Sequence, residues 1–182
     1  MLTITVPISP EGWDEAKQEF VEPKCQVLQL EHSLIALSKW ESKWHKPFYS
    51  KGEMTAEETM DYIKCMTLNK NVDTDVYNHL TRENIDAVVA YIGDPMTATT
   101  FGKDDKKTSN KEIITSELIY YWMIASNIPF DPCQKWHLNR LITLIRVCGI
   151  KNTPPKKMSK RDIMSRNASL NAARRQQMNT KG

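Results

Sequence analysis

The chain has 182 residues, a net charge of +3, 40% hydrophobic residues and only six glycines. That length holds one domain with a hydrophobic core and an appendage. The apolar share is slightly low, so part of the chain is expected to be solvated. The scarcity of glycine argues against an all-β fold built on tight turns. Charge is uneven: residues 151–182 carry nine Lys or Arg against Asp162, a balance of +8, while residues 1–150 hold 16 bases and 21 acids, a balance of −5. This predicts a mildly acidic body, 1–150, and a basic C-terminal arm, 151–182.

The opening "MLTITVPISPEGWDEAK" lacks the basic start, apolar stretch and cleavage site of a secretory signal. The longest apolar run, Leu118 to Ala125, has eight residues, too few to span a bilayer. A soluble, cytoplasmic protein is expected. Cys25, Cys65, Cys133 and Cys148 are widely spread without a C-x-x-C pair. They read as reduced, mostly buried thiols.

In chain order, "LTITVPI" (Leu2–Ile8) alternates and is β-branched, so it reads as a strand. "PEGWDEAKQEF" reads as a short acidic helix, and "KCQVLQLEH" (Lys24–His32) as a second strand. Ser33 is the expected N-cap of a helix over "SLIALSKWESKW". Thr55 and Glu58 form a capping box ahead of Met60, Ile63 and Met66. "DTDVYNHL" reads as a short helix. Thr81 caps the next helix, whose expected stripe is Ile85, Val88, Val89 and Ile92, ended by Gly93 and Pro95.

"MTATTF" (Met96–Phe101) is β-prone and is expected to complete a small sheet, and "GKDDKKTSNK" reads as a solvated loop. "NKEIITSELIYYWMIASN" predicts a helix apolar nearly all round, the pattern of a central core or interface helix. "DPCQKWHLNRLITLIRVCG" predicts one long helix: Asp131 caps it, Pro132 opens it, Gly149 closes it, and Leu138, Leu141, Ile142 and Ile145 form its buried stripe. "KNTPPKKM" reads as a linker. Ser159 and Asp162 then open a polar helix to about Gln177. The expected fold is mainly α, with a small N-terminal β element and a basic C-terminal helical arm.

Catalytic signals are thin. Neither G-x-G-x-x-G nor G-x-x-x-x-G-K-[ST] occurs, and the G-x-S-x-G elbow is absent. Cys133 with His137, and Glu41 with His45, have i, i+4 spacing on expected helices. One such pair per helix falls short of the four ligands of a structural zinc site. Cys133 and His137 also suit a nucleophile and base, but a Cys at a helix start is more often simply packed. No enzymatic activity, metal or cofactor is expected.

Binding signals are stronger. Trp40 and Trp44 share a helix face with Leu37 and Leu34. The first reading is core, packed on the apolar helix at 118–125 with the lysines outward. A protein-binding surface comes second, because aromatic residues are enriched at interface anchors. Nucleic-acid stacking comes third. The basic arm supplies charge for phosphates, yet no aromatic residue follows Trp136 to offer a stacking platform. A solvated helix and a segment that docks on an acidic partner remain equally open for the arm.

The strings "LQLEHSLIALSKWESKWHKPF", "MTAEETMDYIKCM", "LIYYWMIASNIPF", "WHLNRLITLIRVC" and "PPKKMS" resemble a family of small proteins of long-tailed (siphovirus) bacteriophages, the tail assembly chaperones. The similarity spans about residues 24–175. It implies a non-enzymatic role in the host bacterial cytoplasm during phage assembly. The implied partners are the tape-measure protein, which a chaperone keeps soluble, and the tail-tube proteins that polymerise around it. Self-association is a further partner class; a membrane is not. The family has no catalytic residues to transfer. The candidate contact residues in this chain are Trp40, Trp44, Tyr120, Tyr121, Trp136, Lys156, Lys157, Lys160, Arg161, Arg166, Arg174 and Arg175. Two alternatives stay open: a nucleic-acid-binding phage protein using residues 156–175, and a structural component of the tail or virion.

Overall fold

A computed structural model describes residues 1–9, 12–14, 19–21, 24–50, 52, 54–101, 112–153 and 159–179. The fold is mainly α with a small antiparallel β element at the N-terminus. Strand β1 (Leu2–Pro7) pairs antiparallel with β4 (Cys25–Leu30), placing Leu2 opposite Leu30 and Ile4 opposite Leu28. The period-two pattern turns Ile4, Val6, Leu28 and Leu30 to the core, whereas Val27 is exposed. Beyond β4, the Leu68 N–H donates to the Gln29 carbonyl at 2.8 Å and Leu30 bridges Thr67, so the chain leaving α2 extends the sheet by a short edge.

The helix expected at 10–20 is replaced by a ribbon: β2 (Gly12–Asp14) pairs with β3 (Glu19–Val21). The ladder of β1 and β4 continues past its ends, with the Ile8 N–H on the Lys24 carbonyl at 2.6 Å. Ile8 and Lys24 therefore leave the sheet side by side. A short isolated helix containing Gly12 has no comparable support.

Helix α1 (Leu34–Trp44) starts at Ser33, whose hydroxyl accepts the Ala36 N–H, and ends at His45 with φ 52°. That left-handed turn is one His tolerates better than bulky residues, and Phe48 beyond it stacks edge-on to Trp40 at 5.4 Å. Helix α2 (Ala56–Met66) carries the Thr55–Glu58 capping box, and a 3-10 turn spans Thr74–His79. Helix α3 (Arg82–Gly93) is capped by Thr81 with Asn84. Its buried residues are Val88 and Tyr91, while Val89 is 59% exposed, so the inward face is rotated from the expected stripe. The Asn84 amide donates to the Thr5 carbonyl at 3.2 Å, tying the start of α3 to β1.

Met96–Phe101 forms no strand, and Met96 at its start has a left-handed φ of 48°, which a regular strand residue does not adopt. The solvated loop at 102–111 lies outside the described residues. Helix α4 (Ser116–Ala125) begins later than expected because Thr115 caps it. The single helix expected from Asp131 to Gly149 is two. One turn, α5 (Phe130–Cys133), precedes α6 (Leu138–Asn152). Asp131 is extended (φ −99°, ψ 128°) and the N-cap residue is Pro129. The break has a tertiary cause: the Leu138 N–H donates to the His32 carbonyl at 2.7 Å and His137 bridges Ser33. Gly149 lies inside α6, which continues to Asn152. Helix α7 (Lys160–Met178) is capped by Ser159 and has no buried residue.

Contacts divide the chain into two units, Met1–Gly149 and Ile150–Gly182. Unit 1 holds two apolar clusters that share α1. One gathers Ile4, Val6, Leu28, Leu30, Ala36, Trp40, Tyr62, Ile63, Met66 and Val88. The other gathers Leu34, Leu37, Ile119, Met123, Ile128, Cys133, Leu138 and Leu141. The tryptophan stripe is thus divided: Leu34 and Leu37 meet α4, but Trp40 packs on α2 against Tyr62. Each fully buried leucine contributes about 1.5–3 kcal/mol, so Leu34 and Leu37 anchor the second cluster to α1, as Ala36 and Trp40 anchor the first. Of the four cysteines, Cys133 is buried, Cys25 is exposed, and Cys65 and Cys148 are intermediate. Among the described residues, no helix is long and apolar enough to cross a membrane.

Candidate interaction surface

Helix α4 turns Ile119 and Met123 inward, both fully buried. At 100° per residue, Tyr121 and Ile124 fall on the opposite side, and each is 62% exposed. Ile113 and Ile114 before the helix and Phe130 after it are also exposed. Tyr120 and Trp122 are half-buried at the rim of the core. Phe130 stacks on Tyr120 at 5.2 Å, and the Tyr120 hydroxyl donates to Gln134 at 3.3 Å. Trp136 is partly exposed, with the Arg140 guanidinium 4.4 Å from its ring. The result is an apolar helix whose inner side is core and whose outer side is not.

The N-terminus of α4 is set by Glu41, a buried carboxylate of α1. Its Oε2 accepts the Ser116 N–H at 2.7 Å and its Oε1 accepts the Phe48 N–H at 2.9 Å. A hollow beside it is lined by Ser42, His45, Lys46, Thr115 and Glu117. Glu41 therefore serves as a strut between helices, and His45 caps α1 without joining it in a ligand pair.

The tryptophans are placed by α2. Trp40 is fully buried, and its Nε1–H donates to the Glu58 carbonyl at 2.9 Å. With no exposed surface, Trp40 is a core residue and not a partner contact. Trp44 is half-buried, 6.3 Å from the Trp40 ring, and donates to Asp61 Oδ2 at 3.0 Å. The lysines do point outward but are tied back: Lys43 pairs with Asp61 and Lys46 with Glu58. Burial opposes the charge on Asp61, yet hydrogen bonds from Lys43 and Trp44 outweigh it and hold its pKa down. The hydrogen bond from Lys46, with the Thr55 N–H, lowers that of Glu58.

A polar junction lies between the two clusters. His32 and His137 are 1% and 6% exposed, with ring centroids 5.1 Å apart. His32 Nδ1 meets the Tyr62 hydroxyl at 2.6 Å, while its Nε2 has no partner. His137 Nε2 meets the Tyr91 carbonyl at 3.0 Å, and its Nδ1 accepts the Asn139 N–H at 3.3 Å. Those bonds make Nε2–H the tautomer of His137. Burial, then the neighbouring His137, pushes the His32 pKa down to about 4. His137 is thus occupied at both nitrogens, and Cys133 sits on a separate turn. The one-helix nucleophile and base arrangement does not form. Among the described residues, no group of three or more metal-ligating side chains comes together.

Of the arm residues, Lys160, Arg161, Arg166, Arg174 and Arg175 are exposed along α7, and Lys156 and Lys157 lie outside the described residues. Tyr121 is the aromatic candidate with the most exposed surface. Ile124 and Phe130 join it and were not singled out in the sequence, because an uninterrupted apolar run hides which side faces inward. Comparison with protein families, curated proteins and solved structures finds no match for this chain.

Proposed function

We propose that this chain is a non-enzymatic protein-binding factor, and specifically a tail assembly chaperone of long-tailed bacteriophages that holds the tape-measure protein through the outer side of α4. The observation that carries the binding reading is the pair Tyr121 and Ile124, each 62% exposed on a helix whose other side is fully buried. Apolar surface of this kind on a small domain is a site for another apolar surface. A long, partly apolar helical protein needs such cover before it assembles, or it aggregates. The tail-assembly part rests on the resemblance of residues 24–175 to that family.

The test is co-expression with the tape-measure protein of the same genome, followed by affinity capture at moderate salt after nuclease treatment. The expected result is co-elution, with the tape measure soluble only in the presence of this chain. A tape measure that is soluble alone and does not co-elute overturns the reading. Recovery of this chain in purified virions would replace the chaperone by a structural tail component.

A further inference from the structure

Helix α7 is 19 residues long and buries none of them. It carries Lys160, Arg161, Arg166, Arg174 and Arg175 against Asp162. Ile163, Arg166, Leu170 and Arg174 follow one another at i, i+3, i+7 and i+11, which is one helix face. Ile163 and Leu170 are 43% and 47% exposed. Such a face has two apolar anchors flanked by guanidinium groups.

Helix α3 presents the converse pattern. Its outward residues include Glu83, Asp86, Val89 and Ala90, all exposed. Asp73 and Asp75 at the preceding 3-10 turn and Asp94 at the C-terminal end are exposed as well. Asp75 is engaged by Asn78 and His79, and Arg82 is the one base on α3 itself. The face of α3 is therefore acidic around an exposed valine, where that of α7 is basic around an isoleucine and a leucine.

We propose that α7 of one copy docks along the exposed face of α3 of a second copy, head to tail. The occupant follows from charge complementarity within a single sequence, an acidic body and a basic arm. Packing Ile163 and Leu170 against Val89 adds the apolar contact that charge alone lacks. Opposite charges at such a rim govern encounter and register, and screening weakens them as salt rises. The contact does not involve α4, so it stands or falls independently of the tape-measure reading.

The test uses the full chain, treated with nuclease, in sedimentation velocity over a concentration series. At low salt, about 0.02 M, the mass is expected to rise with concentration above the 21.0 kDa of one chain, and to return towards it at about 0.5 M. Two charge-reversed chains sharpen the result: Glu83→Lys with Asp86→Lys, and Arg166→Glu with Arg174→Glu. Each alone is expected to stay at single-chain mass, since its two faces then carry like charge. An equimolar mixture is expected to associate, because the intact face of each meets the complementary face of the other. Circular dichroism checks that both remain helical, and the salt series on the unaltered chain decides the matter if either does not. A single-chain mass at every concentration at low salt overturns the proposal, and so would docking of α7 on its own α3, which leaves that mass unchanged. Association that survives both reversals and high salt, or that disappears on nuclease treatment, also overturns it.

Discussion

Glu41 Oε2 accepts the backbone N–H of Ser116 at 2.7 Å, joining α1 to the first turn of α4 across 75 positions of sequence. The same carboxylate holds the Phe48 N–H, so one side chain satisfies two backbone donors, one buried and one partly buried. Glu41→Ala leaves both unpaired. A loss of about 2–3 kcal/mol is expected, the scale of buried groups deprived of a charged acceptor. Ser116→Ala is the control: it deletes a buried hydroxyl that makes no hydrogen bond and keeps the N–H, so it should not reproduce the loss of Glu41→Ala. Denaturant titration of both variants measures the difference.

His32 makes stability depend on pH on the acid side. In the unfolded chain its pKa is near 6.5, and in the fold burial and His137 bring it down to about 4. Between these values the unfolded chain binds more protons, so stability falls as pH drops from about 6.5 towards 4. The full effect is on the order of 3 kcal/mol. Unfolding free energies at pH 7, 6 and 5 should show this slope, and His32→Gln should flatten it. An unchanged slope in the variant would assign the effect to other groups.

Trp40 and Trp44 should separate sharply on truncation. Trp40→Ala empties a fully buried site and removes the indole N–H from the Glu58 carbonyl, for a loss of about 3–5 kcal/mol. Trp44→Ala removes a half-buried ring and should cost clearly less. Thermal denaturation ranks the two, and equal losses would contradict the burial difference.

Gly149 lies within α6 and a Cβ added there meets nothing within 4 Å. Gly149→Ala is expected to stabilise the chain by about 0.4–1 kcal/mol through the entropy of the unfolded state. A lowered melting temperature would place that residue outside a regular helix.

Tyr121→Glu with Ile124→Glu tests the outer side of α4. Both residues are exposed, so stability should change by no more than about 1 kcal/mol in total. Capture of the tape-measure protein should be lost. Retained capture with intact folding would move the contact surface elsewhere on the chain.

Local chemistry explains how much of this was legible in advance. Ser33, Thr55, Thr81 and Ser159 cap helices as their spacing predicts, because a cap needs only a side-chain oxygen and an N–H two or three residues on. The strands at β1 and β4 and the polar C-terminal helix follow equally from short-range pattern. Met96–Phe101 shows the limit: β propensity alone, without strand pairing, makes no strand.

What the sequence determined by itself, then, was the mainly helical class, the helix starts at Ser33, Thr55, Thr81 and Ser159, and the charge contrast between body and arm, all properties of neighbouring residues. Tertiary structure decided the rest. Gly12–Asp14 and Glu19–Val21 paired as strands, and the His32 carbonyl divided the expected 131–149 helix by claiming the Leu138 N–H. Packing on α2 took Trp40 out of reach of any partner, and packing of Ile119 and Met123 left Tyr121 and Ile124 outward. Each of these turns on a contact between residues far apart in the chain, where periodicity carries no information about which side meets which.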